Sequence, residues 1–361
     1  MPLKREDLDL SRSAEGNNES SKDYPVLLDS GNHTYLKRWK LGEGSFGKVY
    51  HYRQQGIPPK EVAVKFINHG PGLKEVDMIK RVTFIGADEN NFLKVLEFFQ
   101  YQSKICIVSE KLEITLLDLF VKRKYKPFSL SEIRPVAQQL LVALTALRRM
   151  SLVHCDIKPD NVMFVNLHKY PYKVKLIDFG LTRRRTKLNR LATIQILGYR
   201  APEVVFGCKI DEPADVWSVG CVLASIPSEY VVNFVEDYLD TMKFKSLIKR
   251  LLCVDQIKRI TPEVALTHSF ITMEHFSDGE DDSYVRSAQN FMNVCQPIQD
   301  FKTNAATADF VDFYKQMEQG ESSEKKSLPQ RVKLFFTKAF SYKSSSSTAL
   351  FERQPEQKYH C

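Results

Sequence analysis

The apolar pattern of this sequence changes its period once, near Leu116, and this change limits the folds open to the chain. Over residues 35–108 the apolar residues form short runs typical of β-strands, interrupted by one stretch with helical spacing at 73–82. From Leu116 onward the spacing is mainly helical, as in the segment 131–150, for which we predict Ser131 as the N-cap. A strand-rich unit followed by a helix-rich unit predicts an α+β architecture with two lobes.

Composition limits the alternatives to this architecture. The 361 residues, 43% hydrophobic and 27% charged, suit one bilobal unit with tails, and we expect 1–34 to be disordered and 276–361 to be partly ordered at best. The net charge of +8 indicates a solvated basic surface rather than direct nucleic-acid binding. Seven scattered cysteines without a CxxC pair indicate a reducing compartment, with neither a disulfide framework nor a zinc site. We expect neither a signal peptide nor a transmembrane segment.

A glycine-rich stretch joins the first two predicted strands. The sequence LGEGSFGKV has the form GxGxxGxV, which is set by Gly42, Gly44, Gly47 and Val49. Alone this spacing is weakly diagnostic, and its position between two strands disfavours a dinucleotide site, which needs a strand and a helix. Glycine lets the backbone close over a polyphosphate because no Cβ intervenes. Lys65, on the strand VAVK, and Glu75, on the predicted helix, can form an ion pair that positions the lysine for phosphates.

Several polar residues of LVHCDIKPDNVMFV, residues 152–165, lie between two apolar segments, where unpartnered burial would be costly. Asp156 can accept a hydroxyl proton, Lys158 can neutralise a transferred phosphate, and Asn161 can bind Mg²⁺. Seventeen residues after Asn161, the motif LIDFG supplies Asp178 as a second metal ligand. The motifs APE and DVWSVG follow in the same order along the chain. This ordered set of motifs is difficult to obtain by chance.

Together these motifs resemble those of eukaryotic protein kinases over residues 35–275. The stretches EIRPVAQQLLVAL, YKVKLIDFG, GYRAPEVVFG, DVWSVGCVLA and 268–295 more closely resemble the homeodomain-interacting protein kinases, which are related to the dual-specificity tyrosine-regulated kinases. The resemblance implies a bilobal protein kinase fold, with a β-rich N-lobe (35–112) carrying one regulatory helix and a mainly helical C-lobe (113–275). It also implies a Ser/Thr kinase that uses ATP and Mg²⁺, resides in the nucleus or cytoplasm, and acts on protein substrates such as transcription regulators.

The resemblance further assigns roles to individual residues. Asp156 is implied to be the catalytic base and Lys158 to face the transferred phosphate. Asn161 and Asp178 are implied to hold Mg²⁺. The residues implied to bind the nucleotide are Leu41, Gly42, Gly44, Gly47, Val49, Ala63, Lys65, Glu75, Ser109, Glu110 and Leu112.

Within the implied nucleotide site, Val49 and Ala63 are expected to enclose the adenine. Glu110 and Leu112 are expected to present hinge backbone groups to it. Ser109 falls at the gatekeeper position, where the resembled family carries a large aromatic residue. A serine there implies a deeper pocket behind the adenine.

The resemblance also implies structural roles. His154 is expected to be a core residue rather than a catalyst, and Asp215 to tether the catalytic loop through backbone hydrogen bonds. Glu203 is expected to form a buried ion pair with Arg259. Cys155 stands where many kinases carry an arginine that binds a phosphorylated activation loop, so we expect no phosphate-operated switch here.

The activation segment, residues 183–203 with the sequence RRRTKLNRLATIQILGYRAPE, departs from the family pattern. Thr193 replaces a tyrosine that the family phosphorylates on itself, Leu197 replaces an arginine, and Gly198 replaces a tyrosine. The resemblance therefore does not carry tyrosine autophosphorylation or a proline-directed preference to this chain. The basic run 183–185 is interpreted as a solvated loop, with attraction of acidic substrates and nuclear import as the alternatives.

The predicted C-lobe is short, because only 44 residues separate Asp215 from Arg259. After residue 226 little room remains for the usual substrate-docking helix, which predicts an exposed apolar patch. Two functions stay open. The complete catalytic set favours an active Ser/Thr kinase, whereas the short C-lobe favours a kinase-fold binding protein with weak or no phosphotransfer. The motifs APE and DVWSVG disfavour a small-molecule kinase. The later stretch RVKLFFTKAFSYK is interpreted as a basic tail, with an amphipathic helix as the alternative.

Overall fold

The residues described by this computed structural model are 24–44, 47–189, 192–226, 235–276 and 283–295. The predictions for the N-terminal tail before residue 24 and for RVKLFFTKAFSYK (331–343) lie outside the described residues. Among the residues that are described, every helix is too short or too polar to cross a lipid bilayer.

The N-terminal lobe is an antiparallel sheet with one helix packed on it. Its strands are β1 (Leu27–Asp29), β2 (Thr34–Gly44), β3 (Gly47–Gln54), β4 (Lys60–Asn68), β5 (Val95–Tyr101) and β6 (Lys104–Glu110). They pair in the order β1-β2-β3-β4-β6-β5. The helix is α1 (His69–Phe84), which follows β4. This lobe confirms the predicted β-rich unit with a single helix, but its sheet begins with β1, which lies inside the segment 1–34 that was expected to be disordered and pairs with β2.

Helix α1 turns a slightly different face to the sheet than the sequence predicted. Val76 and Ile79 are buried as expected, but Leu73, predicted on the same face, is 50% exposed. Gly72 takes the inner position instead, where an added Cβ would lie 2.7 Å from the Cβ of Ile105. The close approach of helix and sheet therefore requires glycine at this position.

The C-terminal lobe is mainly helical. Its helices are α2 (Leu116–Lys122), α3 (Leu130–Arg149), α4 (Pro202–Val205), α5 (Pro213–Ser225), α6 (Val235–Leu251), α7 (Pro262–Leu266), α8 (Ser269–Thr272) and α9 (Ser283–Met292). Its short strands are β7 (Ile114–Thr115), β8 (Leu152–Val153), β9 (Val162–Asn166), β10 (Tyr170–Leu176) and β11 (Arg183–Arg184). They form the sheets β10-β9-β7 and β11-β8. The bilobal α+β prediction is confirmed.

The N-cap of the long helix α3 is Ser129, so the prediction of Ser131 was wrong. The Ser129 hydroxyl accepts a hydrogen bond from Glu132 N at 3.3 Å, and the Glu132 carboxylate accepts one from Ser129 N at 2.6 Å. This reciprocal capping box needs a Glu or Gln three residues after the cap. Ser131 fails that requirement because its third neighbour is Arg134.

Ser129→Ala is expected to lower the free energy of unfolding by about 1 kcal/mol. The reason is that the Glu132 amide at the helix start loses its side-chain acceptor. Urea unfolding followed by circular dichroism measures the change, with Ser129→Thr as the control that keeps a hydroxyl. An unchanged unfolding midpoint in the alanine variant would contradict the capping role.

The C-lobe contains a buried ionic network around α3. Arg134 of α3 forms an ion pair with Asp240 of α6, and both side chains are fully buried. Asp240 also pairs with His275 Nε2 at 3.0 Å and accepts a hydrogen bond from the Tyr284 hydroxyl at 2.5 Å. Arg134 Nε donates to the carbonyl oxygen of Phe270 at 2.7 Å. One ion pair therefore connects α3, α6, α8 and α9.

The described order continues beyond residue 275, where the predicted kinase domain ended. Helix α9 packs on the C-lobe, and its buried Val285 and Ala288 face inward. The ring of Phe291 lies edge-on to the ring of Tyr172 in β10, with centroids 4.8 Å apart. Residues 283–295 therefore form part of the same hydrophobic core as α3 and β10.

The C-lobe is short after residue 226, as predicted. Helix α5 ends at Ser225 and α6 begins at Val235, so nine residues, 226–234, separate them. Large apolar side chains of the C-lobe are exposed, among them Leu197, Phe206 and Ile257, and the apolar patch expected beside the short connection stays a prediction.

Candidate active site

The loop between β8 and β9 holds one carboxylate with two donors. Oδ2 of Asp156 accepts hydrogen bonds from Lys158 Nζ at 2.8 Å and from Asn161 Nδ2 at 2.9 Å. Asn161 Nδ2 also donates to the backbone carbonyl of Asp156 at 2.7 Å. Oδ1 of Asp156 has no hydrogen-bond partner among the described residues. The geometry therefore fixes the carboxylate and leaves one oxygen able to accept a proton.

A second carboxylate, that of Asp215, is hydrogen-bonded to the backbone of this loop. Asp215 of α5 accepts hydrogen bonds from the backbone amides of His154, at 2.6 Å, and Cys155, at 3.0 Å. The prediction that Asp215 tethers the catalytic loop is confirmed. Complete burial raises the pKa of Asp215 to about 7. The two bonds oppose this shift and hold Cys155 in a left-handed conformation with φ of 70°.

Cys155 and His154 are core residues. Both side chains are fully buried. Burial raises the pKa of the Cys155 thiol and lowers the pKa of His154, so both are neutral at pH 7. The ring of His154 lies 5.5 Å from that of Phe179, which in turn lies 5.7 Å from Phe92. His154 therefore packs in the core, as predicted, and Cys155 brings no charge to the loop.

Lys65 joins the two lobes through two carboxylates. Its Nζ lies 2.8 and 3.0 Å from the carboxylate oxygens of Glu75 on α1, which confirms the predicted ion pair. The same Nζ lies 2.9 Å from Oδ1 of Asp178, a contact that the sequence did not predict. Three residues from β4, α1 and the end of β10 therefore meet at one point.

Burial and neighbouring charges have opposing effects on the pKa values of these three residues. Burial opposes the charge on Lys65, but Asp178 and Glu75 together raise the pKa of the lysine. Burial raises the pKa of Glu75. Burial also opposes ionisation of Asp178, but Lys65 outweighs it and lowers the pKa of that carboxyl. The site thus contains a charged lysine facing an ionised Asp178.

The glycine-rich stretch forms the β2–β3 hairpin, whose tip at residues 45–46 lies outside the described residues. Gly42 pairs with Val49, and Gly44 pairs with Gly47. Gly47 has φ of 151°, and a Cβ there would lie 2.2 Å from the carbonyl oxygen of Phe66. Only glycine therefore fits at this position beside the tip of the hairpin. Leu41, at the same end of β2, is 43% exposed.

Three neighbouring strands bring the other residues of the predicted nucleotide site together. Val49 on β3 pairs with Lys65 on β4, and Ala63 on β4 pairs with Ser109 on β6. Ser109 is buried, and its hydroxyl donates to the carbonyl oxygen of Glu110 at 3.2 Å.

The predicted hinge begins at Glu110, the last residue of β6. The amide of Glu110 donates to the carbonyl of Lys94 at 3.0 Å, and its carboxylate binds Lys175 Nζ at 2.5 Å. These contacts use the amide and the side chain of Glu110. Leu112, two residues on, is buried.

Gln195, which the sequence reasoning missed, anchors the activation segment. It is buried, with φ of 62°, and its amide nitrogen donates to the carbonyl of Cys155 at 2.9 Å. Its side-chain Nε2 donates to Ala214 O at 2.8 Å and to Ser218 Oγ at 2.9 Å. Its Oε1 accepts from Ala201 N at 2.9 Å. The sequence feature that could have indicated this role is an uncharged polar residue placed between two isoleucines in ATIQIL.

The activation segment is also held by arginines. Arg259 Nη1 and Nη2 lie 2.6 and 2.9 Å from the two carboxylate oxygens of Glu203, which confirms the predicted buried pair. Arg185 pairs with Glu212 at 3.4 Å, and Arg183 donates to the carbonyl of Thr182 at 2.9 Å. Two of the three arginines in the basic run therefore bind their own chain. The prediction of a loop was wrong for Arg183 and Arg184, which form strand β11 paired with β8, whereas attraction of acidic substrates and nuclear import stay predictions.

Asn161 and Asp178 have a donor set that fits Mg²⁺. Asn161 uses its Nδ2 toward Asp156, which leaves the amide oxygen available. Asp178 uses Oδ1 toward Lys65 and the amide of Gly180, while its Oδ2 has no partner in the part of the chain that the structure describes. One amide and one carboxylate oxygen suffice where nucleotide phosphates and water supply the other ligands of Mg²⁺.

Comparison with known proteins agrees with the fold. The sequence model of the protein kinase domain matches residues 35–271, and the chain belongs to the protein kinase family. It is similar to homeodomain-interacting protein kinase 2 of Mesocricetus auratus, with 29% identity over an alignment of 374 positions that covers 77% of this chain and 32% of that protein.

The chain is also similar to two further protein kinases. Homeodomain-interacting protein kinase 1 of Caenorhabditis elegans is 36% identical over 219 positions, covering 59% of this chain and 26% of that protein. Dual specificity tyrosine-phosphorylation-regulated kinase 3 of Rattus norvegicus is 33% identical over 192 positions, which cover 52% of this chain and 32% of that protein. The predicted resemblance to these two kinase groups is confirmed. The matched regions span about a third or less of the length of these relatives.

Proposed function

We propose that this chain is a protein serine/threonine kinase that transfers the γ-phosphate of ATP to hydroxyl groups of protein substrates. The observation that carries the proposal is the arrangement around Asp156, whose carboxylate is held by Lys158 and Asn161 with one oxygen left to accept a proton. This arrangement occurs in a chain of the protein kinase family.

Each residue of the loop has a part in the proposed transfer. Asp156 orients the substrate hydroxyl and takes its proton as the oxygen attacks phosphorus. Lys158, 2.8 Å from the same carboxylate, lies close enough to neutralise charge on the phosphoryl group as it moves. Such transfers are catalysed mainly by positioning and electrostatic stabilisation, and a rigid, buried loop provides both.

The nucleotide site is proposed to lie between the lobes. Val49 and Ala63 enclose the adenine, with Ser109 behind it and the backbone of Glu110 and Leu112 at its edge. The hairpin residues Leu41, Gly42, Gly44 and Gly47 cover the phosphates. Lys65, positioned by Glu75, binds the phosphates. Asn161 and Asp178 would hold Mg²⁺, which would supply positive charge that offsets the charge of the phosphates.

The substrates are proposed to be proteins, among them transcription regulators, and the site of action to be the nucleus or cytoplasm. Two of the relatives are named homeodomain-interacting protein kinases. Direct nucleic-acid binding is not part of the proposal.

A second candidate is a kinase-fold binding protein with weak or no phosphotransfer. The observation that favours it is the short connection of nine residues between α5 and α6, which leaves little chain for a substrate-docking helix. The two candidates differ in one property, because only the first transfers phosphate.

The test is transfer of labelled γ-phosphate from ATP to a generic basic protein and to the chain itself, with Mg²⁺ and with EDTA. Wild type is compared with Asp178→Asn, and ATP binding is measured in parallel. The expected result is Mg²⁺-dependent phosphoserine or phosphothreonine from wild type and only background from the variant. Phosphotyrosine alone would contradict the proposed class. A folded, ATP-binding wild type without transfer would favour the binding protein.

A further inference from the structure

We propose that residues 309–318 of this chain bind to an exposed apolar surface of the N-lobe, formed by helix α1 and the edge strand β5. We call it the α1–β5 surface and define it by Leu73, Lys80, Phe84 and Phe98. The surface belongs to the described residues, whereas the segment 309–318 lies outside them and is known from its sequence.

Helix α1 contributes an outer face with large apolar side chains. Leu73, Lys80 and Phe84 follow one another at i, i+7 and i+11, a spacing that places residues on one face of a helix. Leu73 is 50% exposed and Phe84 is 90% exposed. With a rise of 1.5 Å per residue, this face extends over about 16 Å between the two apolar residues.

Strand β5 continues the apolar surface. It lies at the edge of the sheet, where it pairs with β6. Phe98 of β5 is 41% exposed, and Lys80 Nζ of α1 lies 4.9 Å from the centre of its ring. This contact places an aromatic ring of the strand beside the outer face of the helix. An exposed apolar surface of this kind is typical of a contact site.

The α1–β5 surface is basic as well as apolar. Asp77 on the outer side of α1 is paired with Arg81 at 3.2 Å. Lys74 and Lys80 are exposed, and neither pairs with a carboxylate of the described part of the chain. A partner that combines apolar side chains with acidic residues is therefore complementary to this surface.

The segment 309–318, with the sequence DFVDFYKQME, has both properties. Its large apolar residues recur at i, i+3, i+4 and i+7, the spacing of one face of a helix; they are Phe310, Phe313, Tyr314 and Met317. Its charged residues are mostly acidic; they are Asp309, Asp312, Lys315 and Glu318. The pattern predicts an acidic amphipathic segment, which fits a basic apolar surface.

The described chain ends on the side of the C-lobe that adjoins α1 and β5. Residues 293–295 pack against α3 and β10. Lys173 of β10 donates to Oδ1 of Asn91 at 2.9 Å, and Asn91 lies in the connection between α1 and β5.

The chain between this point and the segment is long enough to reach the surface. Residues 296–309 span at most about 50 Å when extended. A connection this short gives the segment an effective concentration of roughly millimolar at the surface, so a contact of modest affinity is sufficient.

Charge distinguishes this segment from the other aromatic stretch of the chain. RVKLFFTKAFSYK, residues 331–343, also carries large apolar residues, but its charged residues are all basic. They have the same sign as Lys74 and Lys80, so their approach is opposed. The occupant of the α1–β5 surface is therefore the acidic segment 309–318.

The test measures whether the chain's own segment competes with a labelled peptide of residues 307–320. The full chain is compared with the tail variant Phe310→Ser/Phe313→Ser, in which the segment has lost its apolar face. Fluorescence anisotropy is expected to show about tenfold or tighter binding of the peptide to the tail variant than to the wild type, because the wild-type segment competes. A peptide of residues 329–343 is expected not to bind.

The surface itself is tested by adding substitutions to the tail variant. Phe84→Ser and Lys80→Glu are each expected to weaken peptide binding about tenfold. Phe206→Ser is the matched control, because Phe206 is 76% exposed and lies in the C-lobe, and its affinity is expected to stay unchanged. Thermal unfolding checks that every variant is folded.

Four results would overturn the inference: no binding of the 307–320 peptide to the tail variant, equal binding to the wild type, binding that Phe84→Ser leaves unchanged, and tighter binding of the 329–343 peptide. Sedimentation velocity adds a fifth, since a wild-type dimer that Phe84→Ser dissociates would assign the surface to a second copy of the chain. None of these measurements involves phosphate transfer, so the inference and the proposed kinase function stand or fail separately.

Discussion

Asp156→Asn is expected to lower kcat for phosphate transfer by about 10²–10⁴-fold, the usual contribution of a positioned general base. The amide has the shape of the carboxylate, and its oxygen can still accept the bonds from Lys158 and Asn161. What is lost is the ability to take the proton of the substrate hydroxyl. The affinity for ATP is expected to stay close to that of the wild type, since Asp156 contacts the substrate rather than the nucleotide.

The control for this variant lies in the same loop. Asp160→Asn removes an equal charge from a solvent-exposed carboxylate four residues away. This variant is expected to keep kcat within a few-fold of the wild type. Steady-state kinetics at saturating ATP measure both variants. A kcat for Asp156→Asn equal to that of Asp160→Asn would show that Asp156 is not the base.

The largest expected effect on stability comes from the buried pair of Arg134 and Asp240. Asp240→Ala is expected to lower the free energy of unfolding by about 3–5 kcal/mol, because a fully buried guanidinium loses its counter-ion. Glu263→Ala breaks the exposed pair with Arg148, and its expected cost is below about 1 kcal/mol. Denaturant unfolding compares the two variants. Equal costs would show that the buried network contributes no more than a surface pair.

The same network predicts a pH dependence. Burial opposes ionisation of Asp240, but the hydrogen bond with His275 and the charge of Arg134 outweigh it and lower the pKa of that carboxyl. A lowered pKa contributes stability above the pKa of an unfolded aspartate, about 3.9, and loses it as the pH falls through the folded value. The stability difference between wild type and Asp240→Ala should therefore shrink as the pH falls below about 4.

Much of the fold could be predicted because its signals are local in the sequence. The change of apolar period at Leu116 marks the boundary between the lobes, and the ordered motifs identify the family. The start of α3 was missed by two residues, because a cap depends on a reciprocal contact between Ser129 and Glu132 and not on serine alone. The inward position of Gly72 was missed because it depends on the distance between helix and sheet.

The contacts of the site also divide into those that sequence motifs predict and those that depend on the folded chain. The pairs Lys65 with Glu75 and Glu203 with Arg259 follow from motifs that the family shares. The contact of Lys65 with Asp178 joins residues 113 positions apart, and that of Arg134 with Asp240 joins residues 106 apart. No periodicity connects such residues, so only the folded chain brings them together.

The attachment of Gln195 has a consequence for how the molecule responds to salt. Four of its hydrogen bonds join buried amide, carbonyl and hydroxyl groups that carry no net charge, and its backbone carbonyl also accepts two bonds from the guanidinium of Arg200. Dissolved ions screen interactions between exposed charges over about 8–10 Å at moderate ionic strength, but they have little effect on buried neutral dipoles. The turn beside the catalytic loop should therefore keep its position in concentrated salt as in dilute buffer. An effect of ionic strength on turnover is then expected to arise at exposed charges, such as those that meet the nucleotide or the incoming protein.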